Sequence, residues 1–235
     1  MSTLAPGIRP FPRVRPKYLL FGILGVMFVY VLVHDESFLL NRRDPIWSHY
    51  ESFKWWLLPH GLAGACALLL APMQFAAGLR RRHTTLHRTV GTLYVISAFV
   101  LAPLGLYIQY LDEAQGAARS FTVETMIQSS SLMITTGIGC YFALRRQFNY
   151  HRQWMIRSYA VALTFLEIRF ILGVTGLDQP FDWHIVEAVV WSCVASSILI
   201  ADIANQLYES HLTRRRAAGR AGETAYSRHL ATAGE

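Results

Sequence analysis

The sequence predicts an all-α, polytopic transmembrane helix bundle of six spans with both termini cytoplasmic, and three observations predict it. First, long apolar stretches recur. Residues 55–79 run for 25 positions without Asp, Glu, Lys or Arg, and residues 89–111 for 23. A helix rises about 1.5 Å per residue, so about 20 such residues cross the hydrocarbon layer. Second, the connecting segments are short, apart from residues 35–54. Third, their basic charge alternates. Lys and Arg number 4 in residues 1–17, 3 in 35–54, 4 in 80–88, 1 in 112–120, 4 in 145–157, none in 176–183 and 5 in 209–235. Alternate segments carry 17 basic residues on one side and 4 on the other, and Arg169 lies inside a span. Basic loops stay on the cytoplasmic side.

Taken in order, a basic cytoplasmic segment (residues 1–17) precedes a six-helix transmembrane domain (residues 18–208). Its first span is 18–34. Arg9, Arg13, Arg15 and Lys17 ahead of an apolar run imitate a secretory signal, but His34-Asp35-Glu36 follows instead of a small-residue cleavage pattern, so a retained helix is expected. Residues 35–54 mix aromatic and charged groups (Phe38, Trp47, His49, Tyr50), as an interfacial helix or cap does. The second span, 55–79, carries Pro59 and Pro72, and the third, 88–111, carries Pro103; each proline frees a carbonyl that a neighbour or water must satisfy. Spans 121–144, 153–175 and 184–208 complete the set. Trp55, Trp56, Trp154 and Trp183 fall at expected interfaces, which suit the amphipathic ring. The tail, residues 209–235, is rich in Ala, Arg, Gly and Thr without periodicity and is expected to be cytoplasmic and disordered.

The net charge of +7 is concentrated at helix ends, as in Arg80-Arg81-Arg82 and Arg214-Arg215-Arg216, where it meets anionic headgroups. The lipid bilayer is therefore the expected partner, and nucleic acid is not, because no soluble domain is left to bind it. Cys66, Cys140 and Cys193 all lie in spans and give no disulfide framework.

Charged groups inside spans are costly and call for partners or roles. Glu124, Glu167, Arg169 and Glu187, with His60 and His184, fall in one layer toward the outer face. Glu167 and Arg169 are two apart and point in different directions, so Arg169 is expected to pair with Glu124 or Glu187 on another helix. A structural ion pair and an outer polar cavity both fit that pattern. Arg157 and Asp202 are expected to pair near the cytoplasmic face.

The histidines form a second layer as well. His60 and His184 lie near the outer face, His87 and His151 near the cytoplasmic face. Two stacked b-type haems, each taking two imidazoles from facing helices, need such a layout. Gly64 follows His60 by one turn and Gly91 follows His87 by one turn, leaving room for a flat macrocycle. Arg88 and Arg152 directly follow the inner histidines, and a guanidinium suits a propionate. Close-packed transmembrane helices use the same small residues without any cofactor. His184-x-x-Glu187, with His60 and Glu124, offers an alternative mixed N/O metal site for Zn²⁺ or Fe²⁺. No Ser or Cys nucleophile motif, phosphate loop or metalloprotease helix signature is present.

Two strings carry a resemblance. His60-Gly61 through Pro72-Met73-Gln74-Phe75, with Leu86-His87-Arg88 and Gly91-Thr92-Leu93-Tyr94, is the first. Tyr150-His151-Arg152-Gln153-Trp154-Met155-Ile156-Arg157-Ser158-Tyr159-Ala160, with Arg169 beyond, is the second. Over residues 55–175 the chain resembles a bacterial family of predicted integral membrane proteins, domain of unknown function 2306. The resemblance implies no particular reaction, but it singles out His60, Gln74, His87, His151, Arg157 and Arg169. In layout the chain is also similar to transmembrane two-haem b-type cytochromes. The resulting expectation is a multi-pass protein of the bacterial inner membrane that binds haem b and transfers electrons. His87 and His151 would hold the inner haem, His60 and His184 the outer one, Arg88, Arg152 or Arg157 the propionates, and a quinol or other redox partner would exchange electrons. The alternatives are a non-haem membrane carrier, a metal-dependent membrane enzyme using the outer His/Glu/Arg layer, and a structural accessory subunit.

Overall fold

The computed structural model describes residues 16–34, 41, 43, 47, 51, 53–177 and 182–233. Among these the chain is all-helical: α1 (Pro16–His34), α2 (Lys54–Gln74), α3 (Ala77–Arg82), α4 (Thr84–Glu113), α5 (Arg119–Leu144), α6 (Phe148–Thr175) and α7 (Trp183–Ala233). Phe38, His49 and Tyr50, on which the expected outer cap rests, lie outside the described residues.

Four helices, α2, α4, α6 and the first 32 residues of α7 (Trp183–Arg214), are long and apolar enough to cross a membrane. A shorter apolar stretch, Phe21–His34, makes up most of α1. Helix α5 has the length, 26 residues, but carries Ser129, Ser130, Ser131, Thr135 and Thr136 along its middle. Several of these turn inward. Ser129 donates to the Ala102 carbonyl at 2.9 Å, and Thr136 meets Ser158 at 2.7 Å.

Local chemistry sets the helix ends. The second span is shorter than the sequence suggests. It stops at Gln74, two residues after Pro72, and the Phe75 N–H turns back to the Pro72 carbonyl at 3.3 Å. Arg80, Arg81 and Arg82 then form the separate short helix α3. Gly116 turns the chain between α4 and α5 at φ 110°, a conformation closed to most side chains. Gly176 ends α6 in the left-handed region (φ 63°), its N–H bonding the Leu172 carbonyl at 2.9 Å. The tail differs from expectation, because α7 continues through residues 209–233 as one helix. Ala, Arg and Glu favour that conformation and no proline interrupts it.

Helix α6 is central, packing against α1, α2, α5 and α7, while α4 lies between α2 and α5. Small residues line these contacts: Ala67, Ala98 and Ser158 are fully buried, and Ala71 and Ala102 nearly so. They let backbones approach where no hydrophobic drive operates between helices in lipid. Large apolar side chains such as Leu62, Leu69, Ile96, Ile134, Leu199 and Ile203 face outward. Tyr30 docks α1 on α6 in a notch left by Gly173, with its ring edge-on to Phe170 at 5.3 Å.

Proline and tyrosine complete the α2–α6 contact. Pro72 has no N–H, which orphans the carbonyl four residues earlier, that of Leu68. The Tyr159 hydroxyl donates to that carbonyl at 3.2 Å.

Candidate functional site

The helix order brings the C-terminus of α2 and the N-termini of α4 and α6 to the end of the bundle that carries Arg80, Arg81 and Arg82. Three signature side chains lie at that end. His151 donates from Nδ1 to the Gly139 carbonyl of α5 at 2.8 Å, which fixes the ring and leaves Nε2 as its uncommitted nitrogen. Nδ1 of His87 is buried without a hydrogen-bond partner, and so is Nε2 of Gln74. Gln74 reaches across to α4, its Oε1 3.3 Å from where a Cβ on Gly91 would stand. His151 and Arg80 both lie close enough to His87 for their charges to act on it.

The arginines expected here separate in role. Arg157 Nε donates to Asp202 Oδ1 of α7 at 2.6 Å, forming the pair the sequence suggests. Its guanidinium also covers the Trp154 ring at 4.7 Å. Arg152 is half-buried over the Tyr208 ring at 3.3 Å and within charge range of Arg80. Arg88 is exposed. Arg80, exposed like Arg88, was not singled out by the sequence, because one arginine in a basic loop resembles the next; it lies within charge range of His87.

Deeper in the bundle is a buried chain of hydroxyls. Tyr94 on α4, Ser158 on α6 and Thr136 on α5 are linked at 2.7 Å each. All three are fully buried. Sequence reading missed this link, since each hydroxyl alone passes for an ordinary span residue. The only available signal was polar groups at matched depth on three helices. Beyond it the packing is apolar, through Ala98, Ala102, Leu132, Val161 and Ala162.

The opposite end holds the second expected group. His60 donates from Nδ1 to the Leu101 carbonyl at 3.1 Å, and its ring lies flush against Gly105. His184 is exposed at the start of α7, where its backbone N–H bonds Asp182. His60 sits on α2, which packs on α4 and α6, whereas α7 packs on α6 and α5. The two histidines thus sit on different helices that both pack on α6. The expected His60, Glu124, His184 and Glu187 metal set does not form: among the described residues no three His, Cys, Asp or Glu side chains group to hold a metal ion. Glu124 on α5 is buried, and its Oε2 accepts from Thr125 at 3.2 Å. Glu124 and Glu167 both lie within charge range of the buried Cys193 on α7. Arg169 places its guanidinium over the Phe165 ring at 5.0 Å. Glu187 is half-buried on α7.

The family profile described as predicted membrane protein (DUF2306) matches residues 57–213, from α2 into α7. The chain belongs to this family. The match takes in α7 as far as Asp202 and Tyr208, beyond the two strings that carry the resemblance. No curated protein and no solved structure matches the chain. Membership makes this a membrane protein with several apolar helices, and bilayer contact follows from that. Within this DUF2306 chain, Gln74, His87 and His151 lie at the same end of the bundle, while His60 and Arg169 lie toward the other end.

Two of the three glycines beside the histidines are filled from neighbouring helices. Gln74 occupies the space at Gly91, and Met155 that at Gly139, its Sδ 2.7 Å from a would-be Cβ. Both fillers are side chains with several rotatable bonds. Gly64 faces Leu101 on α4, in ordinary packing.

Proposed function

We propose that this protein crosses the bacterial inner membrane six times, with both termini inside, and holds one b-type haem at its basic end. Helix α5 supports the sixth crossing. It spans about 39 Å, and it is packed between α4 and α6 with its hydroxyls turned inward. The alternation of basic loops supports the orientation.

One observation carries the haem reading: the His151 ring is anchored through Nδ1 to the Gly139 carbonyl, within charge range of a His87 whose own Nδ1 is buried and unpaired. An imidazole that ligates iron commonly donates its other nitrogen to a carbonyl, which fixes the tautomer and orientation. His87 and His151 would hold the haem in this reading. Arg80 and Arg152, rather than Arg88 or the Asp202-bound Arg157, neutralise the propionates. The group, when bound, supplies reversible one-electron transfer. The chain's own part is to hold two neutral imidazoles and to keep water from the site with Tyr94, Met155 and Tyr159. The electron partner is a quinol or a reductant reaching the basic face.

The test is the visible spectrum of the purified protein, oxidised and then reduced with dithionite. A Soret band with a sharp α band at about one haem per chain is expected. His87→Ala abolishes it while the protein still inserts, and His60→Ala leaves it unchanged. A colourless preparation from haem-replete cells overturns the reading and favours a non-haem carrier or enzyme working from the Glu124 end.

A further inference from the structure

We propose that Glu124 is a proton-binding carboxyl group that exchanges with the side of the membrane at which α5 begins. Glu124 is 4% exposed, and its Oε1 has no hydrogen-bond partner. Among the described residues, Thr125 supplies the one hydrogen bond found on the carboxyl, to Oε2. Such an oxygen fits a neutral carboxylic acid better than an anion. Removing a carboxylate from water without a cation beside it costs several kcal/mol even after relaxation, and protonation removes that cost.

The neighbours point the same way. Helix α6 brings Glu167 toward the same buried thiol, Cys193 of α7, that Glu124 approaches. Neither carboxyl supplies a counter-charge for the other. The influences that act on the Glu124 carboxyl are its own burial and the Thr125 hydroxyl, with no cation among them; Arg169 of α6 has its guanidinium over the Phe165 ring, and Glu187 of α7 is half-buried. Arg119 begins α5, and Asp112 and Glu113 close α4 at this end. The Cys66 and Cys140 thiols lie on other parts of the bundle, and His60 is bound to the Leu101 carbonyl.

The surroundings also set the direction of exchange. One turn further along α5, Gln128 is taken up by Thr164 and the Val161 carbonyl. Beyond it the apolar packing of Ala98, Ala102, Leu132, Val161 and Ala162 separates Glu124 from the Tyr94–Ser158–Thr136 hydroxyls. Toward the start of α5, Oγ1 of Thr122 is another buried atom without a partner, and Ser120 beyond it binds the Trp191 indole. The polar route therefore leads from Glu124 to the start of α5 and stops at the apolar layer. This site is independent of what the basic end binds.

Dicyclohexylcarbodiimide, which modifies protonated carboxyl groups in apolar surroundings, tests the proposal on the full chain in native membranes, with peptide mass spectrometry locating the adduct. The expected result is an adduct on the Glu124 peptide in mildly acidic buffer, strongly reduced in alkaline buffer and insensitive to added sodium or potassium. Glu124→Gln loses it, and Glu167→Gln retains it. Absence of an adduct on wild-type Glu124 in acidic buffer overturns the proposal. Suppression by sodium or potassium at constant pH also overturns it, in favour of a metal-cation site.

Discussion

The Tyr159 hydroxyl of α6 donates to the Leu68 carbonyl of α2, the carbonyl that Pro72 leaves without its helical partner. Tyr159→Phe removes that donor and strands a backbone acceptor where water is scarce. A loss of about 1–3 kcal/mol is expected, read as a lower unfolding midpoint in detergent. Pro72→Ala restores the missing N–H, so in the Tyr159→Phe background it recovers much of the loss. No recovery in the double variant would show that the tyrosine acts by packing against Phe75 and Ala71 instead.

Arg157 and Asp202 join α6 to α7 across 45 residues of sequence. Asp202→Ala leaves a partly buried guanidinium without its acceptor, and about 1–3 kcal/mol of stability is expected to go. Arg157→Gln combined with Asp202→Asn should cost less than the two single changes added together, because each single change strands the other partner. Strict additivity in thermal unfolding of the four proteins would show that the pair contributes little.

Gly105 is needed by the His60 ring. A Cβ there would come within 2.9 Å of the imidazole Cε1, and that ring is held by its bond to the Leu101 carbonyl. Gly105→Ala is expected to destabilise the α2–α4 contact by about 1–3 kcal/mol. His60→Ala in the same chain relieves the clash and makes the glycine substitution nearly neutral. Equal effects of Gly105→Ala with and without His60 would disprove the steric account.

Orientation is open to a direct check. Alkaline phosphatase fused after Gly116 should be active, and the same fusion after Arg146 inactive, since the enzyme matures only outside the cytoplasm. The reverse pattern would invert the proposed topology without altering the helix packing.

The residues that determine membrane residence are legible one by one. Residues 55–79 and 89–111 have to leave water because they contain no charge over a bilayer's thickness, and the family match agrees with that reading. Pro72 announces an orphaned carbonyl in the sequence, and the Arg157–Asp202 pair follows from two opposite charges at similar depth. Sequence also placed His87 and His151 at one end by counting turns. It could not choose their neighbours, because these helices are apolar on nearly every side and no amphipathic stripe marks the inward face. Rotation of each helix about its own axis is set by packing between small residues. Only the tertiary structure therefore decided that Gln74 fills the notch at Gly91, that His60 turns to the Leu101 carbonyl, and that Tyr94, Ser158 and Thr136 join in the core. Hydropathy determined that the chain enters the bilayer, and side-chain fit between helices determined which of its polar groups meet there.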